Sequence, residues 1–258
     1  QLRFRWEDFA LAPQLGSSIA FPGVELRFDN DIGLLTAEVS RAFPRQRDAF
    51  QNLLRQIVDY DDLNDEIFAL STRARLGEIF DDPLLIEMLL CPLMWYGNAR
   101  EHDMDWGQFC IMFRSIFLEG MARPFRGVRL ILKHLVRRFR ELGGELKLRS
   151  SVKQIKVEGQ AAHGVILDSG EELEGRVILS SAGIVETLRM CDDCSSIVKP
   201  EPGQMSCIET VSILDCQPRD LGHDKTIVFY NDSPAFDWRA PAHELCDMRT
   251  GVICSPNN

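Results

Sequence analysis

The chain has 258 residues, 45 % of them apolar and 26 % charged, with a formal net charge of −10 and an isoelectric point near 5.1. That is enough polypeptide for one large or two small domains with an ample core, and the composition is that of an ordinary soluble globular protein. The acidic balance argues against a nucleic-acid binder, which concentrates Lys and Arg to neutralise phosphates.

In chain order, Val24–Phe28 (VELRF) alternates apolar and polar residues and predicts a short strand. Asn30 or Asp31 then caps a helix running through Leu34, Leu35 and Val39 to Phe43. Pro44 suits the first turn of a second helix, whose Phe50, Leu53, Leu54, Ile57 and Val58 make one stripe. A third helix is expected over Leu63–Phe80. A fourth starts at Asp82-Pro83 and is ended or kinked by Pro92, and a fifth covers Asp105 to Glu119. Together they form an α-rich block over roughly residues 33–122. Met88, Met94, Met104 and Met112 stand there beside Trp95, Trp106, Phe109, Phe113 and Phe117. Such stripes read as core before they read as ligand pocket, and no run reaches the ~18–20 apolar residues of a spanning helix. A long apolar ligand or a monotopic membrane contact stays open as the alternative.

At Gly127 the character changes. Val128, Ile131, Leu132, Leu135, Phe139 and Leu142 follow helical spacing, and Gly143-Gly144 supplies the stop. The basic side chains of Arg137, Arg138 and Arg140 read as a solvated helix face. Strands are expected at ELKLR (145–149), VKQIKV (152–157), HGVIL (163–167) and EELEG (171–175), with turns at Gly159 and at Asp168-Ser169-Gly170. The unbroken apolar run VILS (177–180) is expected to be a parallel strand covered on both faces. Helix, strand, meander and buried strand suit a crossover in an α/β nucleotide fold with an antiparallel flap inserted. Beyond Pro200, Pro202 and Gly203, strands at MSCIETVSILD (205–215), KTIVFY (225–230) and GVIC (251–254) suit an antiparallel sheet in the domain that holds the α-block.

Eight cysteines without a dense framework read as reduced, largely buried thiols of an intracellular protein. Cys191 and Cys194 make the one CxxC, and no second ligand pair at zinc spacing accompanies it, so no metal is expected. His134 reads as a surface histidine, and the acidic clusters at Asp59, Asp61 and Asp62 and at Asp81-Asp82 as helix-end residues. No catalytic acid, base or nucleophile can be named from spacing. The N-terminus QLRFRWEDFALAP has no secretory pattern and no initiator Met, and GVICSPNN stops after a strand-like run, as expected of a fragment of a longer protein.

From Pro124 to Gly183, "RPFRGVRLILKHLVRRFRELGGELKLRSSVKQIKVEGQAAHGVILDSGEELEGRVILSSAG" resembles the central segment of phytoene-desaturase-type flavoproteins. That group includes carotenoid desaturases and isomerases and retinol saturases, within the amine-oxidase-like FAD superfamily. "VELRFDNDIGLLTAEVSRAFPRQRDAFQNLL" resembles the start of that family's substrate domain. The resemblance implies a mixed α/β chain: a substrate domain over 1–123, part of an FAD-binding domain over 124–200, and further substrate-domain strands over 201–258. It implies an FAD oxidoreductase acting on an apolar, often isoprenoid, substrate, soluble or at a membrane surface. It also implies that Val152 meets the adenine end of FAD through its backbone, with Ile155 behind it, and that the small-residue turn Ser181-Ala182-Gly183 approaches the cofactor. Val152 reads equally as core, and Ser181–Gly183 as an ordinary strand-to-helix turn. The family's N-terminal GxGxxG, the acidic residue after it and the C-terminal flavin-covering segment are not in these residues, so they alone are not expected to hold FAD. Two other functions share the architecture: an amine-oxidase-like flavoenzyme, and a flavin-free prenyl-binding protein of the Rab-escort and GDP-dissociation-inhibitor type.

Overall fold

The dipeptide Pro22-Gly23 is a turn signal, with Gly23 at a positive φ of 77°. It folds β2 (Ser17–Phe21) back on β3 (Val24–Phe28) as a tight antiparallel hairpin. In the structure, a computed structural model, residues 3–62, 70–96, 100, 102–125, 127–159, 161–191, 207–239 and 241–256 are described. The fold is mixed α/β and divides into two units. Unit 1 comprises Gln1–Lys133 and Cys207–Asn258, and unit 2 comprises His134–Ser206.

Unit 1 is built on a four-stranded sheet of order β3-β2-β8-β9, in which β8 is Ile227–Asn231 and β9 is Thr250–Cys254. The expected antiparallel sheet is in fact mixed. β8 runs parallel to β2, with Ile19 opposite Phe229, because the two strands come from distant parts of the chain and are not joined by a hairpin. One face carries Ile19, Leu26, Phe28 and Phe229, all buried in the core. A two-residue-type signal, Ser17-Ser18, hides β2 from an alternation search, although both serines are buried. Ser17 Oγ donates to Gln14 Oε1 at 2.6 Å and accepts the Ile227 N–H at 3.2 Å. A small second ladder pairs β1 (Leu11–Pro13) with β4 (Ala122–Pro124).

The helices form where caps and stripes place them. α1 (Ile32–Ala42) starts at Asp31, whose side chain accepts the Gly33 N–H, and α2 (Arg47–Val58) follows the single turn Pro44–Gln46. α3 (Thr72–Ile79) starts at Ser71, which accepts the Ala74 N–H. The expected third helix began at Leu63, and residues 63–69 lie outside the described residues. α4 (Pro83–Met94) has Asp82 as its cap and does not stop at Pro92. Pro92 sits so near the end that only the carbonyl one turn earlier loses its partner, and the helix continues to Met94. α5 (Trp106–Phe113) continues as a π-turn, Arg114–Leu118. From there Arg114 donates to the Ile57 carbonyl at 2.7 Å and the Tyr60 carbonyl at 3.0 Å, placing a cation at the C-terminal end of α2. Met88, Met94, Met104, Phe109, Phe113 and Phe117 are all buried, so the greasy block is core. Among the described residues no helix is long and apolar enough to cross a membrane.

α6 (Arg129–Glu141) carries the unit boundary inside it, between Lys133 and His134. Unit 2 continues with a three-stranded antiparallel meander, β5 (Val152–Glu158), β6 (Ala161–Leu167) and β7 (Glu172–Glu174), as the turn residues foretold. A seven-residue helix, α7 (Ile184–Met190), follows. Three expected strands do not form. ELKLR is broken by Arg149, which takes a left-handed φ of 58°. VILS begins in a bend at Arg176 and Val177 and has no strand beside it among the described residues, and a strand exists only where a neighbour meets its N–H and C=O groups. For the same reason residues 207–214 are exposed and unpaired as a strand, while 205 and 206 lie outside the described residues.

Candidate functional site

The elements that carry Val152 and Ser181–Gly183 belong to one unit. α6 ends in two consecutive turn bonds: the Gly143 N–H donates to the Arg140 carbonyl and the Gly144 N–H to the Phe139 carbonyl, both at 2.9 Å. This is a Schellman termination, and Gly143 has the required positive φ of 85°. At Gly144 a Cβ would come within 2.4 Å of the Phe139 ring and would push the ring aside. The stop turns the chain toward β5. The meander is pinned along its edge by Lys147 to Glu171 and by Lys156 to Glu172 at 2.8 Å.

Val152 opens β5 opposite Leu167 and is 38 % exposed, so its side chain is not core. Ile155, three residues on, is buried and takes that part instead. α7 lies against β5, and Cys191 at its end forms a parallel bridge with Ile155. Ser181, Ala182 and Gly183 precede α7 and are exposed. Gly183 has φ 90° and ψ 157°, a conformation favouring glycine, and accepts the Thr187 N–H at 3.0 Å. Ser180 Oγ and Thr187 Oγ1 are 2.6 Å apart, and the Ala182 N–H donates to Ser180 Oγ at 3.3 Å. The turn is thus fixed by its own side chains, and it presents small residues. It offers no charged group to the approach except Glu186, in the first turn of α7. Such a surface admits the close approach of a flat ring or a sugar but supplies no acid, base or nucleophile. Among the described residues no glycine-rich phosphate-gripping loop accompanies it.

Unit 1 holds two groupings that spacing does not reveal. Arg73 on α3 forms a two-point ion pair with Glu87 on α4 and donates to the carbonyls of His102 and Phe236. Glu87 in turn accepts the Phe236 N–H at 3.0 Å. Beside this clasp His102 Nδ1 lies 2.7 Å from an Asp237 carboxylate oxygen, and the rings of Trp95 and Trp238 meet edge to face at 4.6 Å. The residues concerned are up to 163 positions apart, so only the fold brings them together. A concavity of about 740 Å³ along α2, lined by Arg55, Asp59, Asp61, Arg75 and Trp106 among others, is mixed in charge and holds none of the expected site residues.

None of the seven described cysteines is in a disulfide, and only Cys91 and Cys110 are buried, fewer than expected. Burial pushes the Cys91 thiol up and the Cys110 thiol up to about 12, which leaves both protonated and inert. Cys194 of the CxxC lies outside the described residues. Among the described residues no group of His, Cys, Asp and Glu could hold a metal ion.

No protein-family model matches the chain, and no curated protein does. A crystal structure of an oxidoreductase from Methanosarcina mazei is similar in fold, with a TM-score of 0.50 and 17 % sequence identity, over 70 % of this chain and 43 % of that one. The chain therefore spans less than half the length of that solved structure, and at this identity what the two share is the fold.

Proposed function

We propose that the chain is the central part of an FAD-dependent oxidoreductase of the phytoene-desaturase-like group, acting on an apolar, isoprenoid-like substrate. The observation that carries this is the fold shared over 70 % of the chain with a structure described as an oxidoreductase. The exposed Val152 edge and the Ser181–Gly183 turn support the cofactor half, since they offer backbone and small residues where the resemblance puts FAD. When bound, the flavin supplies the electron-accepting chemistry. The chain's own residues bind and orient: Val152 through its backbone at the adenine end, Gly183 by leaving room, and Ser180 with Thr187 by holding the turn. The greasy helices of unit 1 are core, so the apolar substrate rests on the resemblance and not on a cavity.

The gene product in its full length, purified and scanned in the flavin bands, tests this. It should be yellow, release flavin on denaturation, and melt at a higher temperature with added FAD. Colourless protein that FAD does not stabilise would overturn the enzyme and leave the flavin-free lipid- or prenyl-binding protein of the same architecture.

A further inference from the structure

Glu186 is the one charged group at the Ser181–Gly183 turn, and the geometry sets it over the glycine. A Cβ on Gly183 would lie 3.0 Å from Glu186 Oε2, so the carboxylate holds part of the room that the glycine leaves. Whatever approaches the turn therefore meets a carboxylate as well as small residues. Glu186 is exposed and makes no ion pair among the described residues, although Arg189 stands three positions on in the same helix. Two amides of the turn are meanwhile spent inside it, Ala182 N–H on Ser180 Oγ and Thr187 N–H on the Gly183 carbonyl.

The charge presented outward is thus negative and uncompensated. A phosphate beside it would be repelled, whereas a neutral hydroxyl that donates a hydrogen bond suits it. Val152 and the turn lie in one unit, with α7 against β5, so both can serve one bound dinucleotide. We propose that Glu186 accepts a hydrogen bond from a sugar hydroxyl of FAD, in the adenosine ribose or in the ribityl chain. This rests on the flavoprotein reading above and deepens it. Where the resemblance gives the turn only a close approach, the carboxylate gives it a polar partner and keeps the pyrophosphate away from Gly183.

The test titrates FAD into the full-length gene product stripped of its flavin, reading flavin fluorescence, for wild type, Glu186→Ala and Glu186→Gln. Glu186→Ala should weaken FAD about tenfold or more, as loss of a charge-assisted hydrogen bond does, and Glu186→Gln, a neutral acceptor, by less. The Tm of the flavin-free protein should stay within about 1 °C in both variants, because the side chain stands in water. FAD analogues that each lack one hydroxyl then identify the partner. The analogue without the bonded hydroxyl should close the gap between wild type and Glu186→Ala, and its position tells ribose from ribityl chain. Unchanged binding by Glu186→Ala overturns the proposal. So does tighter binding, which would mean that the carboxylate repels the cofactor. A gap that persists with every analogue overturns it too, since Glu186 would then act through the shape of the turn. Wild-type protein that binds no FAD sinks the flavoprotein reading and this proposal with it, whereas FAD binding that ignores Glu186 sinks the proposal alone.

Discussion

Glu38 shows how much a single side chain can hold. Its carboxylate is 6 % exposed and lies 2.8 Å from Arg27 and 2.7 Å from Arg41, which reach it from β3 and from the last turn of α1. Burial pushes its pKa up, but the hydrogen bonds from Arg41 and Arg27 outweigh burial and hold it below the ordinary glutamate value. A carboxyl depressed in the folded state stabilises above its unfolded pKa, and that contribution is lost as pH falls through the folded value. Glu38→Gln should therefore cost on the order of 1–3 kcal/mol at neutral pH. The gap from wild type should shrink in acid, as chemical denaturation across a pH series would show. At the edge proposed to face the cofactor, the two expected contacts differ in kind. Gly183→Val in the full-length protein must hold a branched side chain at φ 90°, and should weaken FAD retention about tenfold or more. Val152→Ala, acting on a contact made by backbone, should leave retention within about twofold. Flavin release during dialysis measures both.

Among the elements, α6 is the one whose end can be broken two ways. Gly143→Ala forces a Cβ into a left-handed position and should cost about 1–2 kcal/mol, while Gly144→Ala keeps the turn and instead displaces the Phe139 ring. Hydrogen exchange at the Gly143 and Gly144 amides should quicken in the first variant more than in the second. The Ser71 cap went unread, because the expected helix ran on through it from Leu63. Two helix starts were legible because their signals are local: Asp31 and Asp82 cap where the apolar stripes begin. The hairpin strands β5 to β7 were legible from Gly159 and Asp168-Ser169-Gly170 for the same reason. Strands that depend on distant partners were not. β2 went unseen because Ser17 and Ser18 interrupt its pattern, while VILS and residues 207–214 have strand-like patterns without a ladder. Of the candidate site, the glycine turn could be read from small residues after an apolar run, but the Arg73–Glu87–Phe236 clasp could not, since no spacing links its three segments. Glu87→Gln should loosen the chain around Phe236 and lower Tm by several degrees, because Arg73 then keeps a partly buried charge without its counterpart.

At the scale of the whole molecule, the two units differ in how they can be watched. Every Trp and Tyr of the chain (6, 95, 106 and 238; 60, 96 and 230) belongs to unit 1, so intrinsic fluorescence reports that unit alone, whereas far-ultraviolet dichroism reports both. With so little buried in unit 2, the dichroism transition in urea should begin at lower denaturant than the fluorescence transition, and coincident curves would show that the units unfold as one. The parallel pairing of β2 with β8 has a consequence for the order of events at synthesis. Ser17 and Ile227 are neighbours in the sheet, yet the whole of unit 2 is made between them. The α-block can collapse early on local contacts, but β2 and β3 must wait with one edge unpaired until residues 227–231 emerge. While the residues between the two strands are made, the nascent chain thus carries an open hairpin. A chaperone that binds exposed strands would find its site there, around Ser17–Phe21, and release it only when β8 arrives.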